Sequence, residues 1–224
     1  MAVEPLRHLA HFSPEKFGRR QIDIIGAGAT GSAIALELAK LGVQNLHVWD
    51  FDHVEDHNLA NQVYGLEDVG KFKVEALARI IKRDVNTDIV AHNERVTEST
   101  TIRGELVFLQ VDTFTARKEI GKSLYYGNTN TIIETRMGAE SGYIYTFSPN
   151  IPKHIKAWED TLWEDKDIED SACGSPTVVS ATAKLVAGFA TWQFVKWTKN
   201  EDLDNEILFA VRPLMIQSRQ FPRV

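Results

Sequence analysis

The feature that most constrains this chain is Ile24-Ile25-Gly26-Ala27-Gly28-Ala29-Thr30-Gly31, a G-x-G-x-x-G run set between two patterned segments. Gln21 to Ile25 has high β propensity, and Ser32 to Leu41 carries Ile34, Leu36, Leu38 and Leu41 at helical spacing. The glycines thus fall where a strand hands over to a helix, the setting in which such a loop holds phosphate. Gly26 permits a tight turn, Gly28 lets backbone N–H groups approach an anion, and Gly31 allows close helix–strand packing. Asp50 ends the next strand, Leu46-His47-Val48-Trp49, about 20 residues past the loop, where a carboxylate accepts hydrogen bonds from ribose hydroxyls. A bound nucleotide is expected.

Beyond the loop, strands and helices alternate. Strands are expected near 21–26, 45–49, 88–92, 105–109 and 131–135, with helices over 29–41, 71–84 and 114–125. That order predicts an α/β fold, a Rossmann-like doubly wound sheet, mainly parallel, with right-handed crossovers. After Met137-Gly138 the pattern changes: Gly142 to Phe147 alternates like a strand, and a helix is expected from about Thr177 to Trp197. Ile207 to Val211 and Leu214 to Gln217 read as terminal strands interrupted by Pro213, giving a mixed, antiparallel C-terminal part. With no repeat or linker, 1–224 is read as a single domain.

After the second strand the chain leaves the dehydrogenase pattern. Asp50-Phe51-Asp52 is followed by Asn58-Leu59-Ala60-Asn61-Gln62, then Gly70-Lys71-Phe72-Lys73, and Asp112 and Arg117 follow the apolar run Leu106-Val107-Phe108-Leu109. In these elements the chain resembles the ThiF/MoeB family, relatives of the ubiquitin-activating enzymes, over roughly residues 20–200. The resemblance implies an ATP-dependent adenylyltransferase that activates the C-terminal carboxylate of a small ubiquitin-like or sulfur-carrier protein of β-grasp fold. It assigns the ribose to Asp50, contacts with ribose and triphosphate to Asn58 and Lys73, and Mg²⁺ to Asp112, with Asp52 and Gln62 in the same binding set. These side chains suit their roles, since Lys is a compact charge for phosphate and a hard cation takes carboxylate oxygen. Arg117 either pairs with a carboxylate, as a helix-surface salt bridge, or acts in catalysis.

One position departs from the family pattern. Where the motif carries arginine this chain has Asn61, which brings no positive charge to the phosphates. Arg7, Arg19, Arg20 and Lys71 are candidate substitutes, Arg7 or Arg19 across a homodimer as the resemblance implies; Arg19 and Arg20 also read as solvated residues flanking the first strand. Three readings follow: an active adenylyltransferase, a nucleotide-binding pseudoenzyme or regulatory subunit, and, from the glycine loop alone, an NAD-dependent oxidoreductase.

Cys173 is the one cysteine, so the two CxxC pairs with which many family members hold zinc are absent and no zinc is expected. It stands just before Ser175-Pro176, which reads as a helix N-cap and first helical residue, a place that activates a thiol. It also follows a segment, about 150–172, where family members have a crossover loop. Cys173 is therefore either a nucleophile for the carrier protein or a small residue packed at a helix start. His53 and His57 fall in a loop with no third ligand in view. Trp158 and Trp163, among the acids Glu159, Asp160, Glu164, Asp165, Asp167, Glu169 and Asp170, form either a lid or recognition strip or a solvated face. A net charge of −6 argues against nucleic acid as main partner. No stretch is long enough to span a bilayer and the N-terminus lacks a signal pattern, so a cytoplasmic protein is expected.

Overall fold

The computed structural model describes residues 7–162 and 178–221. Eight strands form one sheet in the order β3-β2-β1-β4-β5-β6-β7-β8. The parallel half consists of β1 (Ile22–Ile25), β2 (Leu46–Trp49), β3 (Val90–His92), β4 (Leu106–Leu109) and β5 (Thr131–Met137). β6 (Ser141–Phe147), β7 (Glu206–Val211) and β8 (Leu214–Arg219) continue it antiparallel. The expected mixed sheet is present, and strand order reverses between β1 and β4, the switch point at which α/β sheets open a crevice for ligands.

Burial explains why these short runs are strands. All four residues of β1 and of β4 are buried, as a strand covered on both faces requires. On one face lie α2 (Ala29–Leu41), α3 (Lys73–Val85) and α6 (Ser180–Thr198), which bury Ile34, Leu38, Leu77, Ile81, Val186 and Phe194 against Ile22, Ile24 and Phe108. On the other lie α4 (Phe114–Ser123) and α5 (Pro152–Glu159), where Ile120 and Trp158 meet Val107, Leu109 and Ile132. The short α1 (Pro14–Phe17), started by the Ser13 side chain and Pro14, was not evident in the sequence pattern; it inserts Phe17 beside Phe194 with ring centroids 5.4 Å apart.

α2 and α3 end on residues in the left-handed region, Gly42 (φ 96°) and Asn86 (φ 53°), which stop each helix cleanly. The C-terminal helix begins three residues later than expected, at Ser180. At the start of the 150–172 segment the chain forms α5, because Pro152 suits a first helical turn and Ile155 and Trp158 share one buried face. Asp23 is buried in the sheet and, among the described residues, makes no ion pair: it accepts from Trp49 Nε1 and Gly104 N–H at 2.7 Å each, and from Gln21 Nε2 at 3.0 Å. Three donors satisfy its buried carboxyl oxygens.

Candidate nucleotide site

The site is assembled at the carboxyl ends of β1, β2 and β4. Gly26 has φ 99°, and a Cβ there would lie 2.5 Å from the carbonyl oxygen of Gln110. At Gly31 a Cβ would lie 1.9 Å from the carbonyl oxygen of Gly26. Both positions exclude a side chain for reasons internal to the protein, the turn and the helix–strand packing read from the sequence. Gly28 is different, because nothing lies within 4 Å of the place its Cβ would take. It is the N-cap of α2 and no side chain caps that helix, so the first-turn N–H groups face an open space suited to an anion.

Asp50 stands beside this loop, 9% exposed. Its Oδ2 accepts the Ala27 N–H at 2.7 Å and its Oδ1 the Asp52 N–H at 2.9 Å. The carboxylate is thereby fixed in orientation while each oxygen keeps a second lone pair. Lys73, the first residue of α3, donates from Nζ to Asp52 Oδ2 at 2.9 Å, and its backbone N–H to the Asp52 carbonyl at 2.9 Å. Its side chain is only 10% exposed. Asp52 thus aims the ammonium toward the same end of the sheet. Asn58 is buried in a 3-10 turn over Asp56–Ala60, where its Oδ1 accepts the Glu55 N–H at 2.9 Å. Asn61 closes that turn, and Gln62 follows it. Asp112 lies exposed beyond β4, just ahead of Thr113, whose side chain caps α4.

The glycine loop, Asp50, Asp52 and Lys73 are brought together; the candidate arginines are placed elsewhere. Arg19 and Arg20 precede β1, at the opposite end of strands about 13 Å long. Arg19 offers its carbonyl to Asn45 Nδ2, and Arg20 pairs with Glu105 while lying 4.3 Å over the Trp197 ring. Arg7 is exposed, next to His8, whose Nε2 meets the Leu41 carbonyl at the far end of α2, about 20 Å of helix from Gly28. Of the four candidate cations, Lys71 lies near the site within one chain, exposed in the turn before Lys73. His53 meets the Phe72 ring at a tilt, with centroids 4.1 Å apart, and among the described residues no group of three His, Cys, Asp or Glu is arranged for a metal.

Arg117 differs from a helix-surface ion pair. It is buried, donates to Glu134 and to the Thr135 carbonyl, and so joins a core cluster. Glu134 also accepts from Arg136 Nε at 3.0 Å and from Trp158 Nε1 at 3.1 Å. Burial alone would raise the Glu134 pKa, but the guanidinium groups of Arg117 and Arg136 with these hydrogen bonds hold it below the ordinary carboxylate value. Trp158, read from the sequence as part of a charged surface strip, is fully buried here, because its indole N–H completes the shell of Glu134. Trp163, the acids from Glu164 to Asp170, and Cys173 with Ser175-Pro176 lie outside the described residues.

Three participants were missed in the sequence. Tyr64 donates its hydroxyl to the Ala27 carbonyl at 2.7 Å, inside the glycine loop. Arg95 lies 4.1 Å over the ring of Phe51, the residue after Asp50. Glu134 was legible in principle, as a charge following the apolar pair Ile132-Ile133 in a buried strand.

A glycine loop at a sheet switch point, with an oriented carboxylate and a lysine beside it, defines a Rossmann-like α/β protein. The ThiF family model matches residues 6–221, and the chain belongs to that family. It is 25% identical over 186 residues to the sulfur carrier protein ThiS adenylyltransferase of Escherichia coli, covering 79% of this chain and 71% of that protein. It is 38% identical over 106 residues to the NEDD8-activating enzyme E1 catalytic subunit of Arabidopsis thaliana, covering 45% of this chain and 23% of that protein. The fold matches E. coli MccB crystallised with AMPCPP and MccA, with a TM-score of 0.78 at 16% identity, over 98% of this chain and 70% of that one. The match to the Arabidopsis subunit thus spans about a quarter of that relative's length.

Proposed function

We propose that this protein is an ATP-dependent adenylyltransferase that activates the C-terminal carboxylate of a small ubiquitin-like or sulfur-carrier protein. The observation that carries this reading is the Asp50–Ala27 bond beside an uncapped α2 and the Asp52-anchored Lys73. Asp50 accepts the ribose hydroxyls, with Asn58 and Gln62 alongside. The N–H groups after Gly28 and the Lys73 ammonium take phosphate oxygens. Asp112, an exposed carboxylate at the end of β4, suits Mg²⁺, which neutralises triphosphate charge when bound. In the reaction a carboxylate oxygen of the carrier attacks the α-phosphorus, the bond from that phosphorus to the bridging oxygen breaks, and pyrophosphate leaves with the electron pair. The enzyme's part is positioning and charge neutralisation.

The same reading takes residues 1–224 as one adenylation domain of a homodimer, cytoplasmic and without zinc; among the described residues no helix is long and apolar enough to cross a membrane. The partner is a β-grasp protein. Cys173 serves as its acceptor if Cys173→Ser abolishes a thiol-labile carrier adduct while leaving adenylation intact. The deciding experiment is ATP–pyrophosphate exchange with candidate carrier proteins, alongside calorimetric titration of ATP and NAD. Carrier-dependent exchange and preference for ATP support the proposal. ATP binding without exchange would make this a nucleotide-binding subunit, and tighter binding of NAD would overturn the reading.

A further inference from the structure

Asn61 and Gln62 each bury a side-chain oxygen, Oδ1 and Oε1, that has no hydrogen-bond partner. The other orphaned side-chain atoms among the described residues are the hydroxyls of Ser32, Thr146 and Thr191 and one nitrogen of Arg79. A hydroxyl can turn to donate; an amide oxygen can only accept. Leaving such an acceptor buried and unmet costs about 1–3 kcal/mol. Here two occur in succession.

Their backbone position is fixed. Both N–H groups donate to the Asn58 carbonyl, at 3.2 and 2.9 Å, and two residues later Tyr64 is bonded to Ala27 of the glycine loop. The oxygens therefore belong to a segment stapled against the place where phosphate is expected. An amide oxygen cannot donate to an anion; these two fit a guest carrying positive charge or proton donors. A hard cation takes oxygen ligands, and Mg²⁺ characteristically combines one or two protein oxygens with substrate phosphates and retained water.

We propose that Asn61 Oδ1 and Gln62 Oε1 turn toward a second Mg²⁺ ion, or its bound water, when ATP is held. This ion is distinct from the one at Asp112 and supplies the positive charge that the side chain at position 61 lacks. The inference rests on the adenylation reading above. With no three-residue group of His, Cys, Asp or Glu to hold it among the described residues, this ion binds only together with the nucleotide.

The test titrates Mn²⁺ into the protein saturated with AMPCPP, counting bound ions by the paramagnetic resonance of free Mn²⁺. Two ions per nucleotide complex are expected in the wild type, and one in both Asn61→Arg and Asn61→Leu. Pyrophosphate exchange should fall about 100-fold or more in Asn61→Leu, the usual loss for a preorganised charge at the transition state. Unchanged thermal unfolding of the nucleotide-free variants separates this from a folding defect; a variant that unfolds early gives way to Gln62→Met, which should also bind one ion. One ion in the wild type, or two in Asn61→Leu, overturns the proposal and leaves the adenylation reading standing. Absence of nucleotide binding overturns both.

Discussion

Tyr64 and Ala27, 37 positions apart in sequence, are joined by a 2.7 Å hydrogen bond from the phenol to the carbonyl. The preceding peptide N–H of the same Ala27 is held by Asp50. The first turn of the glycine loop is thus gripped on both its donor and its acceptor, by residues from two other parts of the site. Burial, and then the charges of Asp50 and Asp68, push the Tyr64 pKa well above its ordinary value, so the phenol stays protonated and keeps donating.

Tyr64→Phe removes that donor and leaves the Ala27 carbonyl unmet in a buried place. The variant should lose about 1–3 kcal/mol of stability in urea denaturation. Because the loop faces phosphate, ATP affinity should fall more than adenosine affinity. Equal losses for both ligands would show that the grip supports the fold without shaping the phosphate site.

Lys73→Ala should weaken ATP binding more than AMP binding, since an ammonium directed at the triphosphate has less to hold in the monophosphate. The fold should survive, because the partner Asp52 is half exposed and water can replace the lost ion pair. Calorimetric titration of both nucleotides reads the difference; equal losses would remove Lys73 from the triphosphate.

What was legible in the sequence was whatever depends on neighbours along the chain. Gly26 and Gly31 announced a turn and a close packing that the structure shows as 2.5 Å and 1.9 Å conflicts for a Cβ. Buried parallel strands were visible because β4 is covered on both faces and appears as an unbroken apolar run, while β1 is apolar except for Asp23. Illegible were the pairings made by folding at long range. The sequence leaves Arg117 between a surface salt bridge and a catalytic role because its partner, Glu134, lies in another element, and it places Trp158 in a charged strip because its neighbours in sequence are acids. Nothing local reveals that within one chain Arg19 stands at the end of β1 opposite the glycine loop.

His92 offers a pH signature. Its Nε2 meets His47 Nδ1 at 2.9 Å, its ring stacks on Trp49 at 3.6 Å, and Glu94 approaches its Nδ1 at 3.9 Å, with buried Asp23 behind the Trp49 indole. Burial first, then His47, lower its pKa from 6.5, against the opposing pull of Asp23 and Glu94. The folded state therefore holds fewer protons than the unfolded one just below pH 6.5. Stability from this group is complete above that pH and declines as pH falls toward the lower folded value. The urea midpoint should drop over that interval, and His92→Phe, which keeps a ring on Trp49, should flatten the slope. An unchanged slope would assign the pH dependence to another group.

Glu134→Gln probes the buried charge cluster. In the wild type one carboxylate answers both Arg117 and Arg136 and receives the Trp158 N–H, with its own side chain wholly inside. Gln keeps the volume but removes the negative charge, leaving two guanidinium groups facing each other in the core. Breaking a buried pair in this way costs about 3–5 kcal/mol, far more than loss of a surface pair. Glu134 has a depressed folded pKa, so its contribution is present above the ordinary carboxylate range and is lost as pH falls through the folded value. The difference in urea stability between wild type and Glu134→Gln should therefore be largest at neutral pH and narrow in strong acid. A constant difference across that range would mean that shape, and not the charge on Glu134, holds α4 and α5 to the sheet.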